Sequence, residues 1–395
     1  MVSVMCLTTT GGMPLFNRSH GNIDTFSFSS MASLNGVHMY GKSHNMLLKS
    51  TATEDMTIVW REFENSITLI AAGVTLDEQT LSELSQAVFN TLVMFVGIEE
   101  LRNVKNVERL RKDLRMSFAT IEKLLQAVDL TDTTGPNSSL LNYTAVMLPP
   151  DPELLQSYVD SWSECVASMF CCVIIEGSLA AASSGWWQLD RVDRYLLSLV
   201  IPSSDASTSS DVPVFLPVKS PTVPFRLVSC TPMQGIRIVA LCGPVPDLYQ
   251  FEQLAIQAWK SVIDLLNDCA ALYPRNIALS FVFHESVLGF LLIDDMLGKM
   301  AISGSVSGHR KPVKCPSHIL RSFYYQCVHD MVVEKDETAK QTEIYWCAEH
   351  YKTFAVRDQD TVLCLLFSSV VPTHAMRLIC KETLVQISQD KSISW

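Results

Sequence analysis

The chain has 395 residues, of which 48% are hydrophobic and 18% charged, and it carries a net charge of -11. That length exceeds one ordinary core and suits two or three domains; the composition excludes a disordered chain, and the acidic balance excludes nucleic-acid binding by bulk electrostatics. No apolar run approaches the roughly 20 residues that span a bilayer, and Met1–Thr10 has neither the basic nor the long apolar region of a signal peptide. A mean hydropathy of +0.20 is high for a soluble monomer, so apolar side chains are expected either to cover partner surfaces or to fill large cores. Most of the 12 cysteines sit inside apolar runs, as in Cys171-Cys172-Val173, which predicts buried reduced thiols and a cytosolic chain. The sequons at Asn17, Asn137 and Asn142 then carry no glycan.

Reading from the N-terminus, Val2–Leu7, the Gly11-Gly12 turn and Leu15-Phe16 predict a short hairpin. Phe28, Met31, Leu34 and His38 recur at helical spacing within Phe28–Tyr40, and Met46–Lys49 reads as a strand. A strand pair follows, Thr57–Phe63 and Ser66–Ala72, running into a helix from near Leu76. A further helix, Val104–Val128, then precedes a polar stretch, Thr131–Asn142, and the helix Pro152–Ala167. The same order returns with a hairpin of Cys171–Ile175 and Ser178–Trp187 about Glu176-Gly177, and a helix capped by Asp190. After the loop Ser203–Asp211 come the strand Val214–Leu216, the pair Phe225–Cys230 and Ile236–Cys242, and a helix from near Leu248. A third copy places strands at Val287–Asp294 and Lys299–Ser303, with Asp295–Gly298 as the turn, and a helix at Ser317–Met331. The charged loop Val333–Gln341, expected to be mobile, leads to strands Glu343–Cys347, Lys352–Val356 and Thr361–Phe367 and a helix from near His374.

Strand, strand, helix, three strands, helix thus occurs three times, which is the order of a longin domain. The expected fold is of the α/β class, α+β in type: three longin-like domains, each an antiparallel sheet of about five strands flanked by helices. The expected boundaries are a first domain over 1–130 with an extra C-terminal helix, a linker over 131–151, a second domain over 152–272 and a third over 273–395, with a break at Tyr273-Pro274.

Chemistry-bearing motifs are sparse. Neither a Walker A loop nor a G-x-G-x-x-G after a strand is present, and Gly304-Ser305-Val306-Ser307-Gly308 has valine where a nucleophile elbow needs serine. His309, Cys315, His318, Cys327 and His329 are zinc-type ligands, but their spacing matches no familiar site, and solvated loop and helix residues explain them. Asp294-Asp295 fits turn geometry, and Glu99-Glu100 lies where one helix gives way to the next; neither pair has a partnered base. No catalytic residue, metal or cofactor is expected. Trp186-Trp187 should close a strand, with one ring in the core and the other on the opposite face.

The segment Glu99–Arg115 is read as one charged helix whose Val104, Val107, Leu110 and Leu114 pack on the domain, with Glu108 and Lys112 as an i,i+4 pair. Arg102, Lys105, Arg109 and Lys112 either belong to a solvated face with internal ion pairs or present a basic surface to an acidic protein or lipid headgroups. His309-Arg310-Lys311 with Lys314 forms a second basic loop of the same kind.

Several strings together resemble one family. Ser33-Leu34-Asn35-Gly36-Val37-His38-Met39-Tyr40-Gly41, Asn65-Ser66-Ile67-Thr68-Leu69-Ile70 and Val96-Gly97-Ile98-Glu99-Glu100-Leu101 are similar to the Fuzzy family of planar cell polarity effectors. Asn106–Leu110, Lys112–Arg115, Gly185-Trp186-Trp187, Ser220–Pro224 and Leu241–Pro244 fit it too, and Arg321–Tyr324 extends the likeness into the third repeat. The resemblance implies a non-enzymatic scaffold of three longin domains that pairs with an Inturned-type longin protein and joins a Fritz-type WD-repeat protein. It further implies regulation of a Rab or Rab-like GTPase, by nucleotide exchange in the manner of the Mon–Ccz pair or as an adaptor, at the basal body of the cilium and its cytoskeleton. Peripheral phosphoinositide contact and a cytoplasmic location belong to the same expectation. Longin pairs commonly meet through the first helix and the adjacent strand, so Leu34, Asn35, His38, Tyr40, Met46 and Leu48 are the candidate contacts.

Overall fold

A computed structural model describes residues 1–21, 27–131, 139–201, 209–304, 306, 315–333, 342–390 and 395. The chain divides into two compact units, Met1–Gly135 with Pro213–Phe225, and Pro136–Val212 with Arg226–Trp395.

The first unit contains β1 (Val2–Thr8), β2 (Pro14–His20), α1 (Phe28–Ser43), β3 (Ser50–Ala52), β4 (Thr57–Phe63), β5 (Ile67–Gly73) and α2 (Glu78–Val96). After them come α3 (Ile98–Arg102), α4 (Val107–Asp113), a single 3-10 turn at Leu114–Ser117 and α5 (Phe118–Val128). The sheet order is β2-β1-β5-β4-β3, antiparallel throughout. Both central strands, β1 and β5, are buried along their whole length, which is why they read as continuous apolar runs rather than alternating ones. Leu81, Leu84, Val88 and Leu92 recur at three- and four-residue intervals along the buried side of α2. Asp77 caps α2 through the Thr80 amide at 2.6 Å.

The second unit holds the third sheet and most of the second. Its first part comprises β6 (Thr144–Ala145), α6 (Pro152–Cys165), β7 (Cys171–Ile175), β8 (Ser178–Ala182), α7 (Ser184–Trp187) and α8 (Arg191–Val200). It continues with β9 (Ser210–Leu216), β10 (Ser220–Met233), β11 (Ile236–Cys242), α9 (Leu248–Trp259) and α10 (Ile263–Ala270); Pro213–Phe225, which include the ends of β9 and β10, belong to the first unit. Last come β12 (Val287–Asp294), β13 (Lys299–Ile302), α11 (Pro316–Phe323), a π turn at Tyr324–Val328, α12 (His329–Val333), β14 (Glu343–Cys347), β15 (Tyr351–Asp358), β16 (Thr361–Ser368) and α13 (Thr373–Gln389). The sheets are ordered β8-β7-β11-β10-β9 and β14-β15-β16-β12-β13-β6. Numbered within each repeat, all three sheets read 2-1-5-4-3. The fifth strand is central and the strand pair seen in the sequence is hydrogen-bonded in every copy. The β7–β8 turn places both Glu176 (φ 47°) and Gly177 (φ 80°) in the left-handed region, as a two-residue hairpin requires.

Several expectations are corrected. Strand Met46–Lys49 is replaced by Ser50–Ala52, because Met46 and Leu47 are exposed and only Leu48 reaches the core. The single charged helix is broken at Asn103–Asn106, where Asn106 starts a new helix by accepting the Arg109 amide at 3.0 Å. Trp186 and Trp187 lie in α7, not a strand, because the Ser183 hydroxyl accepts the Trp186 amide and turns the chain into a helix. The stretch read as a linker is structured over its described residues: β6 pairs in parallel with β13, through Thr144 N–H to Gly298 O at 2.9 Å and Val146 N–H to Met300 O at 2.8 Å. The turn from Gly304 to Gly308, the basic loop 309–314 and the charged loop beyond Val333 lie wholly or mostly outside the described residues.

Candidate partner-docking surface

Helix α1 spans 16 residues without an aspartate or glutamate, and its only lysine or arginine is Lys42. Its inner side is fixed to the sheet by specific contacts. Leu34 packs with Met31, Leu48 and Ile58 on a small cluster of Met5, Leu7, Trp60 and Ile70, and its carbonyl accepts the Trp60 indole N–H at 3.4 Å. The Asn35 amide covers the β1–β2 turn: a Cβ added to Gly12 (φ +60°) would stand 2.1 Å from Asn35 Nδ2. His38 is buried, 3% exposed, with Nε2 3.0 Å from Glu62 Oε1 on β4. Lys42 donates to both Glu62 oxygens at 2.7 Å. Burial pushes the Glu62 carboxyl up, but the hydrogen bonds and charges of Lys42 and His38 outweigh it and hold the group below its ordinary value.

The outer side is different. Ala32, Ser33, Gly36, Val37 and Tyr40 are all exposed, and none is charged. Tyr40 is 66% exposed, its ring 4.4 Å from that of His44. Beyond the helix end Met46 is 58% exposed and Leu47 is open as well. The candidate contacts therefore divide: Leu34, Asn35, His38 and Leu48 hold α1 on its own sheet, whereas Tyr40 and Met46 face outward. Val37, Met39 and Leu47, within the same two segments Leu34–Tyr40 and Met46–Lys49, are exposed as well.

The basic candidates divide too. Arg102 pairs with Glu64 at 2.7 Å and with Glu99 at 3.3 Å, and the Glu64 bond raises its pKa. Arg109 lies 3.6 Å from Asp113, while Glu108 pairs with Arg111 at 2.7 Å rather than with Lys112. Lys105 and Lys112 are exposed and form no ion pair among the described residues. Internal pairing thus occupies half of the candidate set.

Among the described residues, Cys315, His318, Cys327 and His329 do not form one metal-ligating cluster. Cys315 is exposed and Cys327 half-buried, whereas His329 is buried with its ring 5.7 Å from Tyr324 and 6.4 Å from Tyr325; His309 lies outside the described residues. Asp294 Oδ1 accepts the Leu297 amide at 2.8 Å and Asp295 accepts the Tyr143 hydroxyl at 2.9 Å, both structural bonds. Glu99 and Glu100 occupy the first turn of α3. All 12 cysteines are free and eight are buried; burial raises Cys171 to about 12 and Cys242 to about 11, so neither supplies a thiolate at neutral pH.

Family models for the first, second and third longin domains of FUZ, MON1 and HPS1 match residues 2–124, 166–260 and 286–391. The chain belongs to the Fuzzy family. It is 37% identical to the human protein fuzzy homolog over 408 residues, covering 97% of this chain and 96% of that protein. The Xenopus tropicalis homolog is 31% identical with 98% of both chains covered, and the mouse homolog 32% identical with 97% and 96% covered. Family membership and the three repeated sheets agree: this is a chain of three longin domains, and the likeness extends through the third.

Proposed function

We propose that this chain is a non-enzymatic subunit that pairs with an Inturned-type longin protein through the outer side of α1. The pair, joined by a Fritz-type WD-repeat protein, promotes nucleotide exchange on a Rab or Rab-like GTPase in cilium assembly, planar cell polarity and ciliary transport, at the basal body in the cytoplasm. The observation carrying this reading is the uncharged exposed side of α1 with Val37, Tyr40, Met46 and Leu47 beside it. A helix side without charge is poorly adapted to water and well adapted to a partner's apolar surface. Exchange needs no nucleophile or general base: a factor that binds the nucleotide-free GTPase better than the loaded one shifts the population by that difference. Lys105 and Lys112, which form no ion pair among the described residues, are the cations available for an acidic partner or phosphoinositide headgroups.

Release of fluorescent GDP from the candidate Rab, measured with the purified pair, tests the reading. Acceleration is expected. Tyr40→Asp with Met46→Asp, both at exposed positions, should abolish co-purification of the longin partner and the acceleration together. Binding of the GTPase with an unchanged release rate would replace exchange with adaptor function.

A further inference from the structure

A groove of about 470 Å³ lies between α6 and the free end of β8. Its floor is Ala180, Ala181 and Ala182, and one wall is Glu153, Gln156 and Asp160 of α6. The residues following β6 occupy the β8 edge only as far as Leu179, whose carbonyl accepts the Met147 amide at 3.0 Å. Beyond that point the groove is lined by the small side chains of Ala180, Ala181 and Ala182, which are 8%, 8% and 1% exposed.

Lys299 of β13 lines the same groove and is 8% exposed. Its Nζ lies 5.7 Å from the Trp187 ring and 4.5 Å from the Trp395 ring. Among the described residues it forms no hydrogen bond or ion pair. Asp294, opposite Lys299 in the β12–β13 register, is committed to the Leu297 amide at 2.8 Å. Burial lowers the Lys299 pKa, with Asp294 opposing that effect. An ammonium removed from water without an anion is costly, and two indole faces only partly compensate. A carboxylate arriving through the groove would complete its shell. Glu153 and Asp160 on the opposite wall disfavour a bare polyanion but can accept backbone N–H groups, which suits a peptide.

We propose that this groove binds an extended peptide segment whose carboxylate pairs with Lys299 while its backbone runs along Ala180–Ala182. The chemistry recognised is one negative charge on an otherwise neutral strand.

Fluorescence anisotropy with the full chain and a fluorescein-labelled, C-terminally amidated Thr-Val-Thr-Val-Asp peptide tests this, against the same amidated peptide ending in Asn. Saturable binding of the acidic peptide is expected, with the control about tenfold weaker, the scale of one charge-assisted hydrogen bond. Lys299→Met should remove that difference and Lys299→Arg retain it. Ser157→Trp, on the exposed side of α6, should block both peptides with Lys299 intact, so the proposal stays testable even if Lys299→Met fails to fold. Equal binding of the two peptides, no saturable binding, or undiminished binding to a folded Lys299→Met or Ser157→Trp protein would overturn it. Displacement of the acidic peptide by equimolar inorganic phosphate would overturn the peptide assignment in favour of a phosphate site.

Discussion

The Glu62 carboxylate takes hydrogen bonds from two side chains of one helix, His38 at 3.0 Å and Lys42 at 2.7 Å, and so fixes α1 to β4 by charge as well as packing. Its depressed pKa has a defined consequence for stability. Because the folded value lies below the unfolded one of about 4.3, the stabilisation is complete above that pH and is lost as pH falls through the folded value. Lys42 is largely exposed, so screening limits the pair to about 1 kcal/mol. Glu62→Gln should therefore lower the melting temperature at pH 7, and the gap to the native chain should narrow as the pH falls below the unfolded carboxylate value, read by thermal melts across the acid range. A constant gap across that range would show that shape rather than charge holds the helix. Tyr40, two residues from His38 and on the other side of the helix, should keep its exposure in either case, since no contact to Glu62 fixes it.

At the scale of elements, the turn between α2 and α3 shows why a helical pattern stops where it does. Gly97 has φ 84° and ψ 152°, a region closed to residues with a Cβ, and its N–H still caps α2 through Val93 O at 2.8 Å. A Cβ there would also stand 3.0 Å from the Phe215 ring. Gly97→Ala should destabilise the first unit by about 2 kcal/mol, measured as a shift in denaturant midpoint at unchanged slope. A change below about 0.5 kcal/mol would mean the backbone relaxes freely. Strand pairs were legible in the sequence because alternation, continuous apolar runs and turn residues such as Glu176-Gly177 agree. Asp190, which caps α8 through the Val192 amide, was legible too, but two other caps were not. The Ser183 cap that folds Trp186 and Trp187 into a helix, and the Asn106 cap that splits the charged segment, each depend on one hydroxyl or amide oxygen that periodicity cannot weigh. The candidate contacts implied by the family resemblance divide for a related reason: Leu34 and His38 pack inward, whereas Tyr40, like Val37, is defined by what does not cover it.

For the molecule as a whole, the larger consequence lies in the second unit, where two repeats that look separable in sequence are joined. Residues 144–148 connect them with main-chain bonds, to Gly298 and Met300 on one side and to Leu179 on the other. Arg194 of α8 fastens the same junction by donating to the carbonyls of Trp187 at 2.5 Å, Leu189 at 2.9 Å and, across the repeats, Leu297. Burial lowers its pKa, with Asp190 opposing that effect, and Tyr143 adds a further tie through its hydroxyl to Asp295 at 2.9 Å. A guanidinium serving three carbonyls has no apolar substitute, because its loss leaves those acceptors buried without donors. Arg194→Met should cost about 3 kcal/mol. The decisive measurement is native-state hydrogen exchange at the Thr144 and Val146 amides. If the second and third repeats form one cooperative body, these amides should share the protection of β13 and lose it together with β13 in Arg194→Met. Exchange of Thr144 and Val146 at the rate of an open loop, with β13 still protected, would restore the segment to a linker and the repeats to independent domains.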